Sequence, residues 1–195
     1  YPQANTHFML LENGFDEETF DGIEAQEPLN PGYITLLHSG VIDAGERNPS
    51  WFFMALSTLK KERPDLFSRL RIRFRASSND GLLDDLARKA SVRDAVELLP
   101  PIPYRSALSE MLSADGLLVM QSRGCNAQIP AKLYEYFRAK RPIIALTDPA
   151  GDTADACRKA GIEAIAAMED ADEIYKLLRR LLDAFEEPKV ASDGV

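Results

Sequence analysis

Short apolar runs alternate with amphipathic segments along almost the whole sequence, and this pattern constrains the fold more than any other feature. The apolar runs predict β-strands at 33–38, 70–74, 96–99, 116–120, 142–146 and 164–167. Apolar residues at helical spacing predict helices at 49–63, 81–90, 104–113, 129–140, 151–160 and 170–185. Strands and helices that alternate in this way form βαβ units with right-handed crossovers. We therefore expect an α/β fold with a doubly wound parallel sheet, Rossmann-like, and helices on both faces.

One predicted strand departs from the expected composition. Arg71, Arg73 and Arg75 alternate with the apolar residues of this run. A strand buried in a parallel sheet is normally apolar on both faces. We therefore expect this strand to be short or to have one poorly covered face.

Sequence signals also place the boundaries of the domain. The chain has 195 residues, which suits one domain. A short strand is predicted at 8–11, and prolines with a glycine interrupt the chain at 28–32. We expect residues 1–31 to lie outside the Rossmann-like domain, residues 32–186 to form it, and residues 187–195 to be a disordered tail.

Composition argues against several classes of protein. The formal net charge is −8, from 23 basic and 31 acidic residues, whereas binding to a nucleic-acid backbone needs a basic surface. Cys125 and Cys157 are too few for a disulfide framework or a usual zinc site, so we expect reduced thiols. No apolar run approaches the roughly 20 residues that span a membrane, and Tyr1 does not open a signal peptide. We expect a cytoplasmic protein without a nucleic-acid partner, with peripheral attachment to the inner face of the membrane left open.

The loop after the first sheet strand is one candidate site, because ligands of parallel sheets bind beyond the carboxyl ends of the strands. Gly40 lets a backbone approach a ligand closely. The helix start signalled by Asn48 and Pro49 favours a phosphate, and Arg47 beside it could clamp a diphosphate. A plain βα turn with a surface arginine fits this loop equally well.

Two common nucleotide-binding motifs are absent from the sequence. Gly40 and Gly45 have a spacing similar to a P-loop, but Glu46 and Arg47 stand where Lys and Ser or Thr are required. The GxGxxG fingerprint of NAD-binding domains is also missing. The sequence thus supports neither Mg-nucleotide hydrolysis of the P-loop type nor NAD binding.

The loop and helix after the strand at 116–120 form a second candidate site. In the predicted helix, Gln128, Lys132 and Glu135 fall on one polar stripe. The Glu135 carboxylate could accept two hydrogen bonds from a ribose diol while the helix start faces a diphosphate. From the residues alone, a surface Lys132–Glu135 pair on a packing helix is the stronger interpretation.

Residues 129–137 (IPAKLYEYF) and 141–145 (RPIIA) resemble the donor-site helix and next strand of retaining glycosyltransferases with two Rossmann domains, the GT-B type. The similarity is greatest to the large family four, which includes sucrose synthases and lipopolysaccharide and capsule glycosyltransferases. Residues 13–16 (NGFD), 38–40 (HSG) and 114–119 (ADGLLV) resemble other motifs of that family in the expected order. The resemblance extends over roughly residues 9–167.

The resemblance implies roles for individual residues. Glu135 matches the second glutamate of the family's Glu-x7-Glu motif, which holds the donor ribose, and Ala127 stands at the first glutamate. Arg47 matches a basic position of the first glycine loop, whereas Val41 replaces a frequent arginine. The loop at 100–103 corresponds to the segment whose backbone meets the base. The implied donor-binding residues are Gly40, Arg47, Ile102, Gln128, Ile129, Lys132 and Glu135.

The function implied by the resemblance is binding of a nucleotide-diphosphate-sugar donor. The parent enzyme would transfer the sugar to a saccharide or lipid-linked acceptor, in surface polysaccharide or glycoconjugate synthesis, without a cofactor or metal. Residues 1–31 would be the end of an N-terminal domain and the interdomain linker. We assign no catalytic residue to this chain and expect it to be inactive alone.

Three alternative functions stay open. Ala127 and Val41 also suit a degenerate, non-catalytic GT-B scaffold. A nucleotide-sugar epimerase would share the architecture. A binding or regulatory module with a flavodoxin-like sheet is the third alternative.

Overall fold

The computed structural model describes residues 9, 11–43, 45 and 48–186. The strands are β1 (Ile34–Ser39), β2 (Leu70–Arg75), β3 (Val96–Leu99), β4 (Gly116–Gln121), β5 (Ile143–Thr147) and β6 (Ile165–Ala166). The α-helices are α1 (Glu17–Phe20), α2 (Ser50–Glu62), α3 (Pro64–Ser68), α4 (Asp80–Lys89), α5 (Tyr104–Ser113), α6 (Lys132–Ala139), α7 (Asp152–Lys159) and α8 (Ala171–Glu186). Short 3-10 turns lie at Arg93–Ala95 and Arg123–Cys125.

The strands form one parallel sheet in the order β3-β2-β1-β4-β5-β6. β1 pairs with β2 along its whole length, from Ile34 opposite Leu70 to Ser39 opposite Arg75. On its other side β1 pairs with β4. The strand order therefore reverses between β1 and β4, which is the topological switch point of a doubly wound sheet. The predicted α/β fold with a doubly wound parallel sheet is confirmed.

Helices cover both faces of the sheet with separate apolar cores. On one face, α2, α3, α4 and α8 pack around residues such as Phe53 and Leu178. On the other face, α1, α5, α6 and α7 pack around Leu133. Adjacent residues of β4 serve the two cores, since Leu118 belongs to the first and Leu117 to the second. Burial on both faces explains why this strand is continuously apolar.

The predicted elements of the sheet domain agree closely with the observed ones. All but one begin and end within one residue of the observed bounds, and α1 and α3 were not predicted. The exception is α6, which begins at Lys132 rather than at 129, because Pro130 disfavours a helical conformation in the residue before it. The strand predicted at 8–11 lies, apart from Met9 and Leu11, outside the described residues, as does the tail at 187–195.

The expectation that β2 is short or poorly covered is wrong. β2 has six residues, and its arginine-bearing face is covered by α5 through ion pairs. Arg73 Nη1 lies 3.0 Å and Arg75 Nη2 lies 2.7 Å from Glu110 Oε1. Arg73 Nε also lies 2.6 Å from Glu97 Oε2. Paired charges therefore replace the apolar contacts that a central parallel strand normally makes.

Residues 16–30, called here the N-terminal strap, run across the outer face of α5 and α6. Phe20 is buried in the core on that side. Glu17 Oε2 accepts a hydrogen bond from Arg138 Nε at 2.8 Å, which fixes the strap to α6. Arg105 Nη2 donates to a strap carbonyl at 2.7 Å, which fixes it to α5. Residues 16–30 belong to the segment that we expect outside the domain, yet they pack against it.

The described residues contain few groups suited to redox or metal chemistry. Cys125 and Cys157 are free and buried, and burial raises the pKa of the Cys157 thiol to about 11. Within the described ranges no His, Cys, Asp and Glu side chains are grouped in a way that could hold a metal ion. No helix in the same part of the chain is long and apolar enough to cross a membrane.

Candidate functional site

The candidate site lies at the edge of the sheet where β1 and β4 end. β1 ends at Ser39 and β4 at Gln121, and the loops that follow them flank the switch point. The loop after β3, at 100–103, emerges at the same edge because the strands are parallel. Ligands of open α/β sheets bind in the crevice at this position.

Gly40 opens the loop after β1 with a backbone conformation that other residues rarely adopt. Its φ angle is +110°, and its amide donates to the Arg75 carbonyl at 2.8 Å. A Cβ atom at this position would lie 3.0 Å from Lys132 Nζ. The glycine therefore leaves room for the lysine ammonium group against the backbone at the end of β1.

A buried histidine holds Lys132 at this edge. Lys132 is the first residue of α6, and its Nζ lies 3.1 Å from His38 Nε2. His38 Nδ1 lies 2.9 Å from the Leu118 carbonyl oxygen. Because a carbonyl oxygen only accepts, Nδ1 carries the proton and Nε2 accepts from the ammonium group. A positive charge therefore lies at the N-terminus of a helix beside the switch point, where an anion is favoured.

The next turn of α6 is fixed to the end of β1 by a tyrosine. Tyr136 is fully buried, and its hydroxyl oxygen accepts from the Ser39 amide at 3.2 Å. Burial raises the pKa of the Tyr136 phenol, so this hydroxyl stays neutral at physiological pH. The contacts of His38 and Tyr136 together set the position of α6 relative to β1.

Glu135 lies on α6 three residues after Lys132. Its Oε1 accepts a hydrogen bond from the Tyr104 hydroxyl at 2.6 Å. This hydrogen bond, with burial and the carboxylate charge, raises the pKa of the Tyr104 phenol. A carboxylate offers about four acceptor positions, so Glu135 can accept further hydrogen bonds while it contacts Tyr104.

The loop after β3 is rigid and anchored. Three of the four residues at 100–103 are prolines, which fix their own φ angles. Arg75 Nη1 donates to the Pro100 carbonyl at 2.8 Å, and Ile102 is half-buried. Tyr104 follows immediately and contacts α6. Tyr104 therefore connects the predicted base-binding loop to Glu135, the predicted ribose-binding carboxylate.

Gln128 and Ile129 lie on the α7 side of the site, and the predicted polar stripe is wrong for Gln128. Because α6 begins after Pro130, Gln128 belongs to the preceding loop. Its carbonyl accepts from the Thr153 hydroxyl at 2.9 Å. Both residues line a cavity of about 440 Å³ next to the start of α7. The structure thus brings together Lys132 and Gly40 but leaves Gln128 off the helix.

The predictions for the loop between β1 and α2 can be compared with the structure only in part. Arg47, predicted to clamp a diphosphate, lies outside the described residues. α2 begins at Ser50, one residue later than predicted, and the Asn48 side chain accepts from the Ser50 amide at 3.0 Å. Val41 is exposed, as is Ala127 in the loop after β4.

Sequence reasoning missed His38, Arg75 and Tyr104 as residues of this site. A histidine inside an apolar strand and an arginine at the end of a buried strand are both signals that were present in the sequence. Tyr104 gave no such signal, because its partner is 31 residues away and depends on how α5 and α6 pack.

Solved structures with a similar fold include glycosyltransferases. Trehalose-6-phosphate from E. coli, bound with UDP-2-fluoro glucose, has a TM-score of 0.67 at 14% identity, covering 87% of this chain and 42% of that one. WaaG, a glycosyltransferase of lipopolysaccharide biosynthesis, has a TM-score of 0.62 at 21% identity, covering 86% and 41%. An α,α-trehalose-phosphate synthase (UDP-forming) from Burkholderia xenovorans, in complex with glucose-6-phosphate, has a TM-score of 0.61 at 13% identity, covering 78% and 36%.

These similarities concern the fold. The chain has the fold of one part of these enzymes. It spans about two fifths of the length of these solved structures. No family model matches the sequence, and no curated protein matches it.

Proposed function

We propose that residues 32–186 bind the nucleotide-diphosphate-sugar donor of a GT-B glycosyltransferase, in the manner of family four. The position of Lys132 carries this proposal. Its ammonium group lies against Gly40 at the switch point, where α6 begins. A cation, a glycine backbone and a helix N-terminus together favour a diphosphate. A similar fold that binds UDP-2-fluoro glucose supports the same conclusion.

The donor nucleotide extends from this point along α6 towards α5. Lys132 binds the diphosphate, with Arg47 as a second cation. Glu135 lies one turn along the helix and accepts hydrogen bonds from the ribose diol. The base lies against the rigid loop that contains Ile102, and the sugar lies towards Gln128 and Ile129.

The proposed reaction is transfer of the sugar from this donor to a saccharide or lipid-linked acceptor, in surface polysaccharide or glycoconjugate synthesis. The leaving diphosphate develops negative charge, which Lys132 and the α6 dipole stabilise. The acceptor and the catalytic groups belong to a second domain, of which residues 1–31 are the end and the linker. The proposed enzyme works in the cytoplasm, and peripheral attachment to the inner face of the membrane is left open.

A non-catalytic scaffold is the second candidate, and one observation favours it. The family's first motif glutamate is replaced by Ala127, which is exposed and offers no acceptor to a sugar. A scaffold of this kind would keep nucleotide binding and lose transfer. Assay of the parent protein for release of nucleoside diphosphate from a sugar donor separates the two functions.

The direct test of the proposal is a binding panel on the chain itself. Thermal shift and calorimetry would compare UDP, GDP and ADP with their nucleosides and sugar derivatives. A ligand at 100 times its Kd raises stability by about 2.7 kcal/mol. We expect one diphosphate to bind weakly and the chain alone to show no transfer. Absence of binding across the panel would refute the proposal.

Variants of Glu135 test the ribose assignment. Affinity for the bound diphosphate should fall in the order wild type, Glu135→Gln, Glu135→Ala, because the amide keeps one acceptor but loses the charge. The 2′-deoxynucleotide should be less sensitive, since one partner of the carboxylate is already absent. Unchanged affinity with early melting would instead make Glu135 a structural residue.

A further inference from the structure

Tyr104 connects two parts of the candidate site that come from different helices. It is the first residue of α5 and directly follows the proline-rich loop at 100–103. The residue is 52% exposed, and its hydroxyl donates to Glu135 Oε1 at 2.6 Å. This distance is in the short range typical of a hydroxyl that donates to a charged carboxylate.

The helices at both ends of this hydrogen bond are fixed independently of it. α6 is held against β1 by Tyr136 and against the N-terminal strap by Arg138. α5 is held by Ser109, whose hydroxyl donates to a strap carbonyl at 2.9 Å, and by Arg105. These contacts hold both helices without Tyr104, although its hydroxyl also contacts Thr19 of the strap. We therefore expect the hydrogen bond to order the Glu135 side chain more than the fold.

An ordered carboxylate matters for a ligand with two hydroxyl groups. The glutamate side chain has three rotatable bonds, and binding a diol requires one arrangement of them. Tyr104 occupies one acceptor position of Oε1, and about three others stay open for the diol. The phenol therefore prepares Glu135 without blocking it.

We propose that Tyr104 is a positioning residue that orients Glu135 for the ribose diol and ties it to the base-binding loop. The inference rests on the proposed function, because it takes the ligand to be a ribonucleotide. Tyr104 acts through Glu135, so its contribution depends on the carboxylate and on the ribose hydroxyls. A competing arrangement, in which the ribose must displace the phenol, predicts the opposite effect on affinity.

The experiment compares Tyr104→Phe with a matched control on the other face of the sheet. In the control, Tyr175→Phe on α8, the removed hydroxyl also donates to a glutamate, Glu62 Oε2, at 2.7 Å. With UDP as the probe, or the diphosphate of the panel that binds best, Tyr104→Phe should lower affinity by roughly threefold to tenfold, the cost of ordering one side chain. Tyr175→Phe should leave affinity unchanged, and the 2′-deoxynucleotide should lose less than the ribonucleotide in Tyr104→Phe.

A double variant separates positioning from a general structural effect. In a Glu135→Ala background, Tyr104→Phe should cause no further loss of affinity. An additional loss there, an equal loss for ribonucleotide and 2′-deoxynucleotide, or tighter binding by Tyr104→Phe would each overturn the inference.

A measurement without ligand keeps this test distinct from that of the proposed function. In tyrosine ring NMR, the Tyr104 phenol should titrate above its ordinary pKa in the wild type and fall towards it in Glu135→Gln. An identical titration in both proteins would overturn the inference even where nucleotides bind. Failure of the wild type to bind any diphosphate of the panel would refute the proposed function, and the ribose role of Tyr104 with it.

Discussion

Arg75 and Glu110 form a two-point ion pair between the sheet and α5. Nε donates to Oε2 at 2.9 Å and Nη2 to Oε1 at 2.7 Å, and both side chains are largely buried. The remaining guanidinium nitrogen of Arg75, Nη1, donates a hydrogen bond to the Pro100 carbonyl at the start of the candidate base-binding loop. The same pair therefore covers one face of β2 and anchors one wall of the site.

Removal of the Glu110 charge should destabilise the protein strongly. Glu110→Gln leaves the guanidinium groups of Arg73 and Arg75 buried without their shared carboxylate. Removal of one partner from a buried ion pair lowers the free energy of unfolding by about 3–5 kcal/mol. Urea unfolding monitored by circular dichroism measures the loss.

The matched control for Glu110→Gln is Glu17→Gln at the surface. Glu17 also pairs with an arginine, Arg138, but its side chain is 60% exposed. Solvent screens such pairs, so the control should lose much less stability. Equal losses in the two variants would contradict the buried network.

The fold could be predicted almost completely from the sequence, because its strands are short apolar runs with clear helical segments between them. The errors have physical causes. The expectation that β2 is short or has one poorly covered face fails because a sequence does not show that Glu110, on a later helix, lies opposite its arginines. The predicted start of α6 at residue 129 is too early because Pro130 disfavours a helical conformation in Ile129, although Ile129 fits the apolar period of the helix.

The candidate site was predictable only in part. The loops after β1 and β4 follow from the rule that ligands bind at the carboxyl edge of a parallel sheet. The helical period predicts that Lys132 and Glu135 share one face of α6. The contact of Lys132 Nζ with His38 Nε2 requires β1 to lie beside β4, and the sequence does not specify that strand order. The Tyr104–Glu135 hydrogen bond depends on helix packing and was not predictable.

Lys132 should contribute to binding of the diphosphate and not of the nucleoside. Lys132→Met keeps much of the side-chain length but removes the charge at the switch point. A charge-assisted hydrogen bond is worth roughly 1.5–3 kcal/mol, so diphosphate affinity should fall about tenfold or more. Calorimetry with UDP and uridine checks this expectation.

The control for Lys132→Met is a lysine on another helix, away from the switch point. Lys159→Met on α7 removes a surface charge that pairs with Asp155. Its affinity for the diphosphate should match the wild type. A similar loss in both variants would show that only the net charge of the chain matters.

A side chain at Gly40 should strain the loop after β1. Gly40→Ala must keep a φ angle of +110° and bring a Cβ atom to 3.0 Å from Lys132 Nζ. A sparsely populated backbone conformation costs of order 1–3 kcal/mol. Gly81→Ala is the control, because Gly81 lies in α4 with no atom near its missing Cβ and should gain about 0.5–1 kcal/mol. Comparable melting temperatures for the two variants would argue against strain at Gly40.

The ion pair between Glu17 and Arg138 should make attachment of the N-terminal strap sensitive to acid. The hydrogen bond from Arg138 holds the pKa of the Glu17 carboxyl below its usual value. A carboxyl whose pKa is lowered by folding stabilises the folded state above its unfolded pKa, and this contribution disappears as the pH falls through the lowered value. The stability difference between the wild type and Glu17→Gln should therefore be largest near neutral pH and shrink on acidification.

Urea unfolding of the wild type and Glu17→Gln over a pH series measures this difference. The Arg138→Gln background supplies the internal control, because loss of the guanidinium group removes the main cause that lowers the pKa of Glu17. In that background the effect of Glu17→Gln on stability should depend much less on pH. Added salt should also reduce the effect at neutral pH, since both side chains are partly exposed to solvent. A difference that grows as the pH falls would mean that Glu17 is stabilised in its protonated form and that the strap is held by other contacts.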